Sequence, residues 1–357
     1  MKTRLPVREA ILKRRTYEAP AEGRAGKIRL DFNENTAGCG PAVMRALAKL
    51  TPEQFGMYPE YRKSTASIAR HLGVRPGEVL LTNGGDDALR VFFDTFVDPG
   101  SRILICEPTF PMYRYWAEIA GARVEVCGYD SQMKFRLEDV LIALRKRPRL
   151  FFLANPNNPT GTLVPQASLR RILQAARHSV VVLDEAYVEF SGLSCLRWIR
   201  RYPHLFIART FSKAAGLAAL RLGAVIAAKS SLDLVRRAMP PFPVNLAALV
   251  AAEAALRENK AIRRYVRDTR RLRESFATAL QELGAKTYPS AGNFLLADFG
   301  PGGPPLFAQL ARKGILVRDR SQDIGPGFAR ITIGTPQEMR KLLREIKRIR
   351  KGKRGPG

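Results

Sequence analysis

The stretch FIARTFSKAAGLAALRLGA (206–224) carries a lysine where a lysine is expensive. From Leu205 to Ala228 the chain is aliphatic, small and almost uncharged, the composition of a buried strand and turn. Lys213 lies in its middle, with Thr210 and Ser212 just before it and Arg221 eight residues after. Burying an unpaired ammonium costs on the order of several kcal/mol. A lysine kept there calls for a partner or a chemical use.

Working outward, short apolar runs alternate with helical patterns. EVLLT (78–82), RILIC (102–106), RVEVC (123–127), LFFLA (150–154), VVVLD (180–184) and LFIAR (205–209) read as strands. Between them DDALRVFFDTFV (86–97), MYRYWAEIAG (112–121) and QASLRRILQAARH (166–178) read as helices. Apolar strands alternating with helices predict an α/β fold, a mostly parallel central sheet with helices on both faces. After MPPFPVN (239–245) the pattern changes. A long helical stretch to about 285 is followed by short strands in NFLLADF (293–299), GILVRDR (314–320) and ARITIGT (329–335), then a closing helix. That predicts a smaller α+β C-terminal domain. The expected organisation is an N-terminal arm (1–31), a large domain (32–243), a small domain (244–350) and a basic tail (351–357).

The chain has 357 residues, 46% hydrophobic and 26% charged, enough apolar material for a large core. The N-terminus MKTRLPVREAILKRR is basic but has no apolar core or small-residue cleavage site, and no apolar run approaches a membrane span. A cytoplasmic protein is expected, with no membrane partner. Cys39, Cys106, Cys127 and Cys195 are far apart in sequence and form no CxxC, so reduced, mostly buried thiols are expected. His71, His178 and His204 stand alone, so no metal site is expected. The net charge of +28 would attract polyanions. Its denser regions are 262–275 and 340–357; in the latter Met339, Leu342, Leu343, Ile346 and Ile349 recur at helical spacing. A packed helix with a solvated basic face accounts for that pattern. Nucleic-acid binding is not expected, since no aromatic–basic interleaving accompanies the charge.

Four features fall at strand ends, where open parallel sheets bind ligands. LLTNGGDDALRVFF places Gly84 and Gly85 before a helix expected to start at Asp86, a geometry suited to a phosphate. FFLANPNNPTG puts Asn158 on the sheet rim. VVVLDEAYVEF puts Asp184 at a strand end with Tyr187 three residues on; it looks like a Walker B run, but no Walker A exists in the chain. The fourth feature is the stretch around Lys213. The order is a glycine turn, Asn, Asp with Tyr, then Lys with Arg.

That order and those strings resemble the fold-type I pyridoxal-phosphate (PLP) aminotransferases, from DFNEN at 31 to RITIGT at 335, and within them the histidinol-phosphate aminotransferase family. The resemblance implies that Lys213 binds the cofactor aldehyde and then serves as general base. It implies that Asp184 pairs with the pyridinium nitrogen, and that Tyr187 and Asn158 hydrogen-bond the ring oxygen. Arg221, Thr210 and Ser212, with the backbone N–H groups of Gly85 and Asp86, would hold the phosphate. Phe110 in EPTFPMY would stack on the ring, and Tyr58 in MYPEY would reach the partner's phosphate across a homodimer with shared active sites.

For the substrate, Arg330 matches the arginine that grips an α-carboxylate, and Asn158 is expected to touch the substrate as well. Arg318 matches the family's second arginine and Tyr17 an N-terminal tyrosine, both facing a phosphate ester. The implied reaction passes the amine of L-histidinol phosphate through PLP to 2-oxoglutarate, giving imidazole-acetol phosphate and L-glutamate, a step of histidine biosynthesis. An aromatic amino-acid aminotransferase and a threonine-phosphate decarboxylase-like enzyme remain alternatives on the same fold. Thr36 stands where the family usually has Pro, Ala215 where Phe is frequent, and Ala219 where Gly is frequent; Tyr61 and Arg62 flank the interface tyrosine.

Overall fold

A computed structural model describes residues 5–12, 14, 16 and 22–352. Tyr17 therefore lies outside the described residues, as does most of the basic tail. The strands in chain order are Ile28–Leu30 (β1), Val79–Thr82 (β2), Arg102–Glu107 (β3), Arg123–Gly128 (β4), Leu150–Ala154 (β5), Val180–Asp184 (β6), Leu205–Thr210 (β7), Gly223–Ile226 (β8), Lys286–Thr287 (β9), Phe294–Asp298 (β10), Ile315–Asp319 (β11) and Phe328–Thr332 (β12). They form two sheets.

The larger sheet has seven strands in the order β2-β8-β7-β6-β5-β3-β4. The strands from β4 through β7 pair in parallel, and β8 runs antiparallel to both β7 and β2. Its central strands are apolar over all but their last positions because both faces are covered. Leu150, Phe152 and Ala154 pack into one buried cluster, Phe151 and Leu153 into the other. Val182 follows the first set, Val181 and Leu183 the second. Each such side chain, fully buried, contributes roughly 1.5–3 kcal/mol.

All six expected strands of this sheet are present. The strand β8 was not separable in the sequence, because the turn before it is itself small and apolar and no polar punctuation marks where it ends. The helix expected from Asp86 begins instead at Gly84 and runs to Phe96. Asp87 supplies the capping carboxylate: the Asn83 N–H donates to Asp87 Oδ2 at 2.9 Å.

The expected long helical stretch is two helices, Leu246–Arg257 and Lys260–Glu282. The first is rich in buried alanine; the second buries Thr269, Phe276 and Leu280 along one side. The smaller sheet has five strands in the order β1-β11-β12-β10-β9. Its unexpected members are β1, three residues paired in parallel with β11, and β9, two residues paired antiparallel with β10, both too short to show a period. The closing helix, Pro336–Gly352, buries Met339, Leu342, Ile346 and Ile349, as the periodicity predicts.

The four cysteines are free. The β3·β4 register sets Cys106 opposite Cys127, with the two sulfurs 3.3 Å apart, a proximity the sequence separation hides. Among the described residues no helix is long and apolar enough to cross a membrane.

Candidate active site

The strands β2, β3, β5, β6 and β7 all run the same way, so the residues after their last positions collect on one rim of the sheet. The two antiparallel steps through β8 restore that direction for β2. There a cavity of about 490 Å³ is lined by Gly85, Asp86, Phe110, Asn158, Asp184 and Tyr187. Thr210, Ser212, Lys213, Arg221, Arg318 and Arg330 line it as well. The structure therefore brings together the expected site residues except Tyr58 and the undescribed Tyr17.

Lys213 follows β7, and its Nζ donates to the Phe32 carbonyl oxygen at 2.9 Å. Burial lowers its pKa to about 8; Arg330 and Arg221 push the same way, against Glu34 and Asp86. The ammonium lies 5.9 Å from the centre of the Tyr187 ring. The turn that carries Lys213 is held close to the N-terminal segment: a Cβ on Gly216 would come within 2.7 Å of the Gly38 carbonyl oxygen. Neighbouring Arg209 is neutralised by Glu185, Nη2 to Oε2 2.7 Å, both largely buried.

Asp184 ends β6 half-buried at the cavity wall. Oδ1 accepts from the Ala186 N–H at 3.0 Å, and Oδ2 accepts from the Tyr113 hydroxyl at 2.7 Å. Burial still raises its pKa above the usual carboxylate range. Tyr113 can reach it because its ring stacks on Phe152 of β5, at 5.2 Å between centroids. Phe110, at the cavity wall, meets Tyr113 edge-on at 5.9 Å.

Arg221 precedes β8 in a left-handed conformation, φ +56°. Its Nη2 lies 3.2 Å from Asp86 Oδ2, and its Nη1 donates to the Ala218 carbonyl oxygen at 3.2 Å. Gly84 is required beside it. Its φ is +82°, and a Cβ there would sit 2.7 Å from Arg221 Nη2. Thr210 and Ser212 are linked: the Thr210 hydroxyl donates to Ser212 Oγ at 3.0 Å, and the Ser212 N–H donates to Thr210 Oγ1 at 3.1 Å.

The smaller sheet supplies the arginines. Arg330 Nη1 donates to Asn158 Oδ1 at 2.5 Å, and Nη2 donates to the Asp31 carbonyl oxygen. Burial lowers its pKa to about 10, with Arg320 and Arg318 acting in the same direction against Tyr187.

Four site residues carried no expectation. Asn33, inside DFNEN, is fully buried and donates from Nδ2 to Tyr187 Oη at 2.9 Å. Tyr113 and Arg320 line the cavity, each within a few residues of an expected one. Glu34 lines it too, and Arg24 holds it at 2.8 Å. Arg320 stands two residues after Arg318, on the same face of an extended strand, but that spacing singles out nothing in so basic a chain. Tyr113 and Asn33 carried no sequence signal either, since their partners are set by packing between distant segments.

Tyr58 is not in this cavity. It is 78% exposed and stacks on Phe242 at 4.4 Å, with Phe55 and Met57 also exposed.

The "Aminotransferase class I and II" family model matches residues 25–346. The histidinol-phosphate aminotransferase of Geobacillus sp. (strain WCH70) is 36% identical over 91% of this chain and 91% of its own length. That of Geobacillus thermodenitrificans (strain NG80-2) is 38% identical over 89% of each. The crystal structure of histidinol-phosphate aminotransferase from Sinorhizobium meliloti in complex with pyridoxal-5'-phosphate superposes with a TM-score of 0.88, at 24% identity, over 98% of this chain and 99% of that one.

Proposed function

The chain belongs to the class I and II aminotransferases, and on that premise we propose that it transfers the amino group of L-histidinol phosphate to 2-oxoglutarate with PLP as cofactor. The observation that carries this is the convergence of Lys213, Asp184, Arg221, Arg318 and Arg330 on one cavity.

The residues present fit the cofactor. A cationic ring nitrogen would hold ionised a carboxyl, Asp184, that burial otherwise pushes toward its neutral form. Arg221, facing the cavity beside Gly85 and Asp86 at the start of the Gly84–Phe96 helix, suits a phosphate. When bound, PLP delocalises the electrons left on the substrate Cα after its proton is removed.

The chain's own residues perform the rest. Lys213 would hold the cofactor aldehyde through Nζ and, when its amine is free, would take the proton from the substrate Cα. A pKa near 8 leaves a useful fraction of that amine unprotonated near neutral pH. Tyr113 and the Ala186 N–H keep the Asp184 carboxylate oriented. Tyr187, itself oriented by Asn33, and Asn158 take the ring oxygen. Arg221, Thr210 and Ser212 take the cofactor phosphate, with the N–H groups at the start of the Gly84–Phe96 helix. Phe110, at the cavity wall, would pack against the cofactor ring. Arg330 and Arg318 take the anionic end of the substrate, with Arg330 aimed by Asn158 and the Asp31 carbonyl. The exposed Phe55, Met57, Tyr58 and Phe242 form an apolar surface suited to a second copy of the chain, across which Tyr58 would reach the partner's site.

The test is glutamate formation from histidinol phosphate and 2-oxoglutarate by the PLP-loaded enzyme, run beside phenylalanine and threonine phosphate. Turnover with histidinol phosphate, lost in Lys213→Ala together with the visible absorbance of the lysine-bound cofactor, is the expected result. Turnover with phenylalanine alone overturns the substrate assignment. Undiminished turnover by Lys213→Ala overturns the mechanism.

A further inference from the structure

The anionic-substrate end of the cavity holds a third arginine. Arg318 and Arg320 stand two apart at the end of β11, so they leave the backbone on the same face. Arg318 pairs directly across the antiparallel ladder with Arg330 of β12, which puts Arg330 on that face as well. The ladder continues past Asp319, since the Arg320 N–H donates to the Phe328 carbonyl oxygen at 2.8 Å. All three arginines line the cavity that holds Lys213.

Like charges set directly opposite each other on a sheet are destabilising. Burying them makes this worse, and Arg330 registers it: burial lowers its pKa, and Arg320 and Arg318 lower it further. Arg320 itself is only 7% exposed. Its guanidinium is fixed from the loop side by Asp323, and two backbone N–H groups, those of Asp323 and Ile324, donate to its carbonyl oxygen. A fold selected for stability alone would not gather three arginines on one face of a hairpin. A ligand group of high charge density is the compensation that makes the arrangement intelligible.

We propose that Arg320 is a specificity-determining residue that reads the second negative charge of a phosphate ester, making the site favour a phosphorylated amine over an amine bearing a carboxylate at the same position. This rests on the function proposed above. Arg318 and Arg330 meet both kinds of anion. Glutamate, the product that must occupy the same cavity, offers there a monoanionic carboxylate, which two arginines satisfy. The phosphate dianion has more oxygens and more charge, and Arg320 is the donor in place to take them. Asp323 is a positioning residue that keeps the guanidinium aimed.

The experiment compares steady-state constants of the PLP-loaded wild type, Arg320→Gln, Arg320→Lys and Asp323→Asn for histidinol phosphate and for glutamate in the reverse direction. Arg320→Gln should raise KM for histidinol phosphate by about ten- to a hundredfold, the loss of one charge-assisted hydrogen-bonding partner. KM for glutamate should change less than about threefold, and kcat little for either. Arg320→Lys should recover part of the histidinol phosphate affinity, and Asp323→Asn should lose a smaller part. Equal changes for both substrates, or none, overturn the proposal; so does Asp323→Asn matching Arg320→Gln on every substrate, which would make the pair purely structural.

Should Arg320→Gln not fold, the wild type still decides. Inorganic phosphate should compete with the amine substrate at least about tenfold more tightly than acetate, and comparable inhibition by the two overturns the assignment. A wild type that transaminates another amine but not histidinol phosphate would defeat the proposed function, while the phosphate–acetate comparison would still report separately on the arginine face.

Discussion

Replacing Lys213 by Met in the cofactor-free protein should stabilise the fold at neutral pH, and the gain should vanish in alkali. Met keeps the length of the side chain and removes the ammonium. Burial, with Arg330 beside it, lowers the lysine pKa from 10.5 to about 8 in the folded chain. A displacement of that size is worth about 3 kcal/mol. Between about pH 8 and 10.5 the unfolded lysine holds its proton and the folded one does not, so stability rises with pH across that window. Below about pH 8 both states are protonated and the full penalty remains. Met also leaves the Phe32 carbonyl oxygen without its lysine donor, a loss of roughly 1 kcal/mol. The net expectation is Lys213→Met more stable than wild type by about 2 kcal/mol at pH 7, the difference closing and reversing slightly by pH 10.5. Urea unfolding of both cofactor-free proteins from pH 7 to 10.5 measures it, and taking the difference cancels the other groups that titrate there. A difference flat with pH, or a variant less stable at pH 7, would refute the assignment of a desolvated, destabilising ammonium.

Two more outcomes test the cofactor end. Tyr113→Phe removes the hydroxyl that donates to Asp184 and should drive that carboxyl's pKa further up. kcat should fall about tenfold or more, consistent with about 1.5–3 kcal/mol for a hydrogen bond to a charged group, while the stacked ring on Phe152 preserves the fold; an unchanged kcat would remove Tyr113 from the site. Gly84→Ala forces a side chain into φ +82° and against Arg221 Nη2. It should lower stability by about 1–2 kcal/mol and weaken PLP binding in an absorbance titration, and unaltered PLP affinity would mean that Arg221 does not depend on that glycine.

Much of the larger sheet was legible because its central strands are covered on both faces. LFFLA and VVVLD are apolar at consecutive positions, the pattern a sheet covered on both sides produces, and both match their strands residue for residue. What escaped has physical reasons of its own. The GAVI strand follows a turn as small and apolar as itself, since that turn packs beneath a cavity rather than facing solvent. The IRL strand is three residues long and is stabilised by its pairing with Ile315–Val317, far away in sequence. The long helical stretch expected after residue 245 is interrupted at Glu258–Asn259, where no glycine or proline announces it.

The candidate site was legible for a different reason: each of its main residues is one that the fold alone would not select. A buried lysine, a carboxyl held out of water at a strand end and an arginine in a left-handed turn are each unfavourable taken singly. Their unfavourable contributions share a sign of cause, desolvation or crowding, and a phosphorylated cationic ring together with an anionic substrate relieves them jointly. Lys213 and Asp184 therefore stand out in sequence, because their anomaly is visible against apolar neighbours. Tyr113, Asn33 and Arg320 do not. A tyrosine in a helix, an asparagine in a loop and one arginine among many basic residues are ordinary until register places them. Arg320 is the instructive case. In a chain carrying +28 net charge its composition says nothing, and only the β11·β12 pairing, with Arg318 opposite Arg330, turns it from surface charge into one corner of an anion site.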